Sequence, residues 1–470
     1  MIGLERRREL MATKLDPIII DARDGSESNT ELMRIISENY WSKNALYMRK
    51  SEAERVPSIG VVFKGNTKIK DFTAFSYFTG VTALDNDAFR SCTNMIIALP
   101  PNIQTIGNNA FRSVNKGSIT NVLPVNVESV GANAFYDSKP RQLFFGKNLN
   151  SIDTAYSVFI FAITSIKELY CHPENQFYYL SQDGGSIIKK SEDGQSDEIY
   201  IALTTAKIPS EKSIASIGAG ACMSCAASAV EIPENITIIK SNAFSYSQIQ
   251  TLKITSMCTI HSNAFSSSTR LVNVDFGDTI SIAAYAFNSC SRITSILIPS
   301  TCTSVLGTSF QKCSGINSIS VEEGNEVYDS RENCNAIIKT DTNTLIRGCK
   351  STIIPDNITE IGHAAFAGSN VVNINIPTGV RVLNSESFNS CKSLQSIVLP
   401  ETITAINAFS LNDCTALKTI TVHAITPPSL GANNYNASVT DVYVPAESVN
   451  DYKTKAGWSS YASVIKAIPS

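Results

Sequence analysis

The chain has 470 residues, of which 43% are apolar and 17% charged, with a formal net charge of −3. That composition is too apolar for a disordered chain and too balanced in sign for a nucleic-acid binder working through a basic surface. No run of about 18 apolar residues could span a bilayer, and the chain is long enough for two to four compact domains unless it repeats.

The first residues, Met1 to Leu10, include Arg6, Arg7 and Arg8 but no following apolar stretch; Pro17-Ile18-Ile19-Ile20 is too short for a secretory signal. Read from Met1, classical export is not encoded. Residues 1–55 do not repeat and read as an N-terminal helical cap or attachment segment. Asn29-Thr30 before Glu31-Leu32-Met33-Arg34-Ile35-Ile36 predicts a capped amphipathic helix reaching about Tyr40. Ser51 and Glu54 form a candidate capping box for a second, short helix.

From residue 56 to 422 one phrase recurs every 21 to 24 residues, as the spacings Phe244 to Phe265 and Phe111 to Phe135 show. It runs apolar residue, often Gly, two variable residues, a small residue and Phe: Ile106-Gly107-Asn108-Asn109-Ala110-Phe111, or Ile361-Gly362-His363-Ala364-Ala365-Phe366. The Phe position falls at Phe89, Phe111, Phe135, Phe244, Phe265, Phe287, Phe310, Phe366 and Phe388. A fixed period in this range means a β-rich solenoid, in which no unit buries its apolar face alone. Each coil also carries a short strand that ends in Pro, such as Ile296-Leu297-Ile298-Pro299 or Ile397-Val398-Leu399-Pro400. Alternation at period two suits a strand with one buried face, and Pro cannot donate to the ladder. The Gly before the turn reads as a position needing φ above zero.

The chain has twelve cysteines, and their phase argues against a disulfide framework. Cys92, Cys225, Cys290, Cys313, Cys391 and Cys414 each follow the Phe position by three residues, and Cys222 replaces the Phe itself. A small buried rung explains this better than pairing. The C-x-x-C of Cys222 and Cys225 lacks the strand-to-helix context of a redox motif and a second pair for zinc.

Two segments break the rhythm, about residues 171–205 and 322–350, and resemble each other at an offset of 150. Asn175-Gln176-Phe177-Tyr178 matches Asn325-Glu326-Val327-Tyr328, and Ser186-Ile187-Ile188-Lys189 matches Ala336-Ile337-Ile338-Lys339. In the second, Asp341-Thr342-Asn343-Thr344 turns the chain into Leu345-Ile346, which reads as a hairpin insert. If that hairpin is symmetric, Cys334 faces Cys349 and a disulfide is open to them; Gly184 stands where Cys334 does in the first copy, so the hairpin does not depend on it. Residues 423–470 leave the repeat at Thr426-Pro427-Pro428. They add the strand Val442-Tyr443-Val444-Pro445 and a helix from Val449 toward Trp458, and read as a C-terminal cap.

These phrases resemble the BspA-like leucine-rich-repeat family, a surface-antigen class of gut and oral anaerobic bacteria and some protist parasites. The resemblance rests on the Ala-Phe-x-x-Cys phase, the Ile-x-Ile-Pro strand, the insert from Glu322-Glu323-Gly324-Asn325 to Cys349, and the tail from Thr426 to Trp458. It implies a leucine-rich-repeat right-handed superhelix with short parallel strands. It also implies a non-enzymatic adhesion or ligand-binding role toward host proteins, matrix or cells, with an extracellular or cell-surface location and no cofactor. The head, with Val62-Phe63-Lys64-Gly65-Asn66-Thr67 and Tyr77-Phe78-Thr79-Gly80-Val81-Thr82, resembles a variant carried by gut bacterial genomes and their phages or mobile elements. The alternative function is therefore a virion-associated structural component with a solenoid recognition or decoration module.

Chemistry is thinly represented. The four histidines, His172, His261, His363 and His423, lie far apart, and no metalloprotease, nucleophile-elbow or phosphate-loop phrase occurs. Glu322-Glu323 reads as a solvated edge and Asp183-Gly184-Gly185 as a turn. The outward strand column should read Ala98, Phe144, Glu231, Lys253, Asp275, Leu297, Ser320, Asn375, Val398 and Thr421. It has neither the basic stripe of a nucleic-acid binder nor an aromatic ladder for a repetitive glycan. The candidate ligand-binding residues are Phe144, Phe177, Tyr178 and Tyr179; the alternative role of the last three is to pack the first insert onto the solenoid.

Overall fold

In the computed structural model, residues 16–40, 45–114, 123–138, 140, 142–152, 165–205 and 207–469 are described. The segment Met1 to Leu10, on which the export reading rests, lies outside them. The chain divides into two compact units, Met1–Ser224 and Cys225–Ser470.

The N-terminal unit opens with strand Ile18–Asp21, antiparallel to Tyr47–Arg49. Between them the helix Glu27–Tyr40 buries Leu32, Met33, Ile35 and Ile36. It starts three residues before the expected cap, because the Ser26 hydroxyl accepts the Asn29 N–H at 3.0 Å and so serves as the N-cap. The second helix, Lys50–Ala53, also starts early. Glu52 rather than Glu54 reaches back, accepting the Arg49 N–H at 2.7 Å, while the Ser51 hydroxyl donates to Asp16 at 2.7 Å.

The coils that follow stack as parallel ladders. In the N-terminal unit Ala83–Leu84, Thr105–Ile106, Ser129–Val130 and Ser151–Ile152 form one row, with Leu84, Ile106, Val130 and Ile152 in register. In the C-terminal unit Ala229–Ile232, Thr251–Ile254 and Asn273–Asp275 form another. Strands such as Ser295–Ile298 alternate exposed and buried residues along their length, and Pro299 follows at the ladder's end.

The turns between ladders explain the repeated phrase. Phe89, Phe111 and Phe135 stack at 5.6 and 5.4 Å with nearly parallel rings, and Phe63 extends the column by one further ring, 5.7 Å from Phe89. In the C-terminal unit Phe244, Phe265, Phe287 and Phe310 stack at 5.1, 5.0 and 5.4 Å. Around Phe111, Phe135 and Phe265 the residues two before and two after the ring adopt left-handed φ: Asn109 and Ser113, Asn133 and Asp137, Asn263 and Ser267. Asn, Asp and Ser occupy that region at modest cost, which is why they recur there. The recurrent Gly has a different cause from the one expected. Gly107 and Gly131 are not among the positive-φ residues. A Cβ on Gly107 would stand 2.7 Å from the Asn86 backbone nitrogen, and one on Gly131 would stand 2.8 Å from that of Asn108. Close approach of successive coils selects glycine here.

The cysteine rung is a donor position. The Sγ of Cys92 donates to Phe63 O at 2.9 Å, that of Cys290 to Phe265 O at 3.2 Å and that of Cys313 to Phe287 O at 3.0 Å. Cys391 and Cys414 do the same to Phe366 O and Phe388 O at 3.0 and 3.1 Å. Ser268 stands in the same phase and donates to Phe244 O at 3.0 Å. The rung thus takes a small side chain with one proton to give, thiol or hydroxyl, and all twelve cysteines are free. Burial pushes the thiols of Cys92 and Cys313 up to about 12, so they stay protonated and keep donating.

Two places interrupt the parallel order. In the N-terminal unit Tyr178–Leu180, Ser186–Lys189 and Asp197–Ala202 run antiparallel in turn. In the C-terminal unit Tyr328–Asp329, Ala336–Lys339 and Thr344–Gly348 do likewise, with the same bulge after Ile337 that the first copy has after Ile187. One asparagine anchors each. Asn175 donates to Gly146 O and Leu149 O at 2.6 and 3.1 Å and accepts the Phe177 and Tyr178 N–H groups at 2.7 and 2.8 Å. Asn325 makes the matching four bonds, to Pro299 O, Cys302 O and the amides of Val327 and Tyr328. Cys349 is not opposite Cys334: Ala336 pairs with Gly348, which sets Cys349 beside Asn335, whose carbonyl its Sγ meets at 3.6 Å.

At the C-terminal end, Asp441–Val444 and Ile465–Ala467 extend the ladder of Ser396–Leu399 and Thr419–Val422. The helix runs only over Val449–Thr454. Tyr452, Trp458 and Tyr461 are buried together, and their polar tips donate to Ala424 O, Pro428 O and Asn434 O at 2.7, 2.9 and 2.9 Å.

Candidate binding surface

The outward column splits by exposure. Glu231, Lys253, Asp275, Leu297, Ser320 and Asn375 are exposed, while Ala98, Phe144, Val398 and Thr421 are half-buried. Glu231, Lys253 and Asp275 are lateral neighbours on three successive strands, and Lys253 bridges to Glu231 at 2.8 Å. Alternating charge across adjacent strands is a self-satisfied surface and offers little to a charged partner.

The N-terminal unit holds the denser group. Strands Gln142–Phe145 and Glu168–Cys171 pair in parallel, which sets Phe144 beside Tyr170 on the solvent side. Tyr170 is 45% exposed, and its hydroxyl donates to Glu168 at 2.7 Å. It escaped the sequence reading because its coil lacks the repeat phrase; the alternation Glu168-Leu169-Tyr170-Cys171 was the available signal. Both strands lead into a hollow of about 460 Å³ lined by Glu128, Lys147, Asn148, Asn150, Glu174, Gln176 and Phe177. Phe177 is 47% exposed. Lys147 and Glu174 close one side with a 2.6 Å ion pair, and that contact holds the Glu174 carboxyl below its usual range.

The four candidate residues therefore part company. Phe144 and Phe177 present ring surface to solvent. Tyr178 is only 2% exposed and packs edge-on against Phe145 and Tyr200, at 5.1 and 5.5 Å. Its burial takes it off the surface and makes it a packing residue of the first antiparallel segment. Tyr179 is half-buried and donates to Asp197 Oδ2 at 2.9 Å; burial pushes its hydroxyl up to about 12. The even-numbered ring points inward because Asn175 fixes the register of the strand it begins.

Among the described residues no group of three or more His, Cys, Asp or Glu side chains is placed to hold a metal ion, and no helix is long and apolar enough to cross a membrane. His172 accepts the Glu174 N–H at 3.2 Å, and His363 contacts Ser385 O at 2.8 Å, so each serves its local turn. Cys334 and Cys349 are free thiols, and the Sγ of Cys334 meets Ala336 O at 4.0 Å.

The family described as BspA type leucine rich repeat region matches the chain in six copies, over residues 55–178, 200–317 and 344–452. Its two gaps, 179–199 and 318–343, overlap the antiparallel segments. Among solved structures, a leucine-rich repeat protein from Bacteroides ovatus aligns at 18% identity over 77% of this chain and 81% of its own, with a TM-score of 0.40. The pneumococcal vaccine antigen PcpA aligns at 14% identity over 62% of this chain and 96% of its own, with a TM-score of 0.41. A leucine rich cell surface protein from Faecalibacterium prausnitzii aligns at 16% identity over 73% and 77%, with a TM-score of 0.29. No curated protein matches the sequence.

Proposed function

The chain belongs to the BspA-type leucine-rich-repeat family, and from that premise we propose that it is a non-enzymatic binding protein acting at a cell surface. It contacts another protein through the aromatic group of its N-terminal unit. One observation carries the reading: Tyr170 and Phe177 are exposed, Phe144 lies half-buried beside Tyr170, and Phe177 lines a hollow whose other walls are amides, two carboxylates and a lysine. Aromatic anchors inside a polar rim are the composition of protein-binding hot spots. The surface location is supported by the family and by the description of one structural relative as a cell surface protein.

The test presents the purified chain to surfaces coated with single extracellular-matrix proteins, and to intact epithelial cells, and measures saturable retention. A variant carrying Phe144→Thr, Tyr170→Thr and Phe177→Ser alters only solvent-side rings and should keep its melting temperature. Each central aromatic anchor is worth about 1–2 kcal/mol, so the variant should bind at least roughly tenfold more weakly. Equal binding by the variant, or no saturable binding to any coat or cell, would overturn the proposal.

A further inference from the structure

Arg347 lies on the last antiparallel strand of the second interruption and is wholly buried. Its Nη1 donates to the carbonyls of Ala367, Ala364 and Gly307 at 3.2, 3.3 and 3.5 Å. Nε and Nη2 are also buried and have no hydrogen-bond partner in the protein. These two nitrogens form the side-on fork of the guanidinium, the edge that takes a carboxylate in two parallel bonds. The same edge does so elsewhere in this chain: Arg331 grips Asp329 through Nε and Nη2 at 2.8 and 2.5 Å, and Arg23 grips Asp21 at 2.7 and 2.7 Å. At Arg347 the titratable neighbours are thiols, those of Cys313, Cys391 and Cys349, with no carboxylate among them.

The thiols do not neutralise it. Cys313 and Cys391 spend their protons on the carbonyls of Phe287 and Phe366, both at 3.0 Å. Ionising either would set a negative sulfur against a carbonyl oxygen, and burial already holds both thiols in the protonated form. Cys349 likewise faces the Asn335 carbonyl at 3.6 Å.

The fold itself does not require a charge here. Ile337 pairs with Arg347 just as Ile187 pairs with Ile201, next to the same bulge, and Ile201 is an ordinary buried residue. A cation without a counter-charge in a core is costly, and a water in its place would satisfy the donors but leave the charge.

We propose that Nε and Nη2 of Arg347 hold a small monovalent inorganic anion, a halide in ordinary salt, as an internal structural ligand of the second antiparallel segment. One positive charge calls for one negative charge.

Crystals of the full chain grown in sodium bromide test this directly. An anomalous bromide peak within hydrogen-bond distance of both Nε and Nη2 is expected; a water, or a protein oxygen moved onto the fork, would overturn the assignment. In solution, the melting temperature should rise with added bromide or chloride and saturate, beyond any rise in sulfate at equal ionic strength. Arg347→Ile, the residue the first copy uses, should abolish that halide-specific rise while melting no lower in halide-free buffer. An identical halide response in both proteins, or a melting temperature in Arg347→Ile that falls whatever the salt, would count against the anion.

Discussion

Two side chains show how closely each coil is fitted to the next. After the second interruption the turn carries Phe366, and the strand beside it needs Gly348, whose added Cβ would stand 2.3 Å from the ring. In the first copy Ala202 takes the place of Gly348, and Cys222 takes that of Phe366, with Ala202 N–H donating to Ala221 O as Gly348 N–H does to Ala365 O. Gly348→Ala should therefore cost about 1–3 kcal/mol by overpacking. In a Phe366→Cys background the same change should be neutral or better, a coupling of at least about 1 kcal/mol in a double-mutant cycle read by urea denaturation. Additive costs would refute the pairing. This exchange is written in the sequence, but only the register of Gly348 beside Ala365 makes it readable. The same holds for the glycines at 107 and 131: close approach and positive φ both select Gly, and only coordinates tell them apart.

The antiparallel segments were visible as breaks in a rhythm, and the matched phrases around Asn175 and Asn325 were visible as an offset of 150. What each asparagine does was not visible, because its four bonds reach backbone groups more than twenty residues upstream as well as its own turn. Removing Asn325 leaves two carbonyls and two amides to find other partners, so Asn325→Ala should cost roughly 2–4 kcal/mol. The loss should appear as faster amide exchange across Tyr328–Gly348, with the ladders from Ser396 onward unchanged. Uniform loss of protection throughout the unit would show that the asparagine supports more than its own segment. The helix starts misjudged at Asn29 and Ser51 have a similar origin: several polar residues compete at each end, and the winner depends on where Asp16 and Ser26 come to lie.

Across the chain the repeated phrase is a packing device. Phe stacks on Phe, and the thiol or hydroxyl three residues later donates to the carbonyl of the preceding Phe, so each coil is tied to its neighbour by one ring and one proton. Such nearest-neighbour bonding lets a solenoid grow without a central core. The family matches over residues 55–178, 200–317 and 344–452 trace that device, and the chain between them departs from it. Partner contacts are expected on the solvent side of the N-terminal unit, at Phe144, Tyr170 and Phe177, and away from the buried rungs. Hydrogen–deuterium exchange, measured on the chain alone and bound to the matrix or cell-surface protein it retains, tests this most directly. Slower exchange over residues 142–149 and 168–179, with no change in the turns carrying Phe111, Phe265 and Phe388, is the expected result. Slower exchange confined to those turns, or to the C-terminal unit, would contradict it.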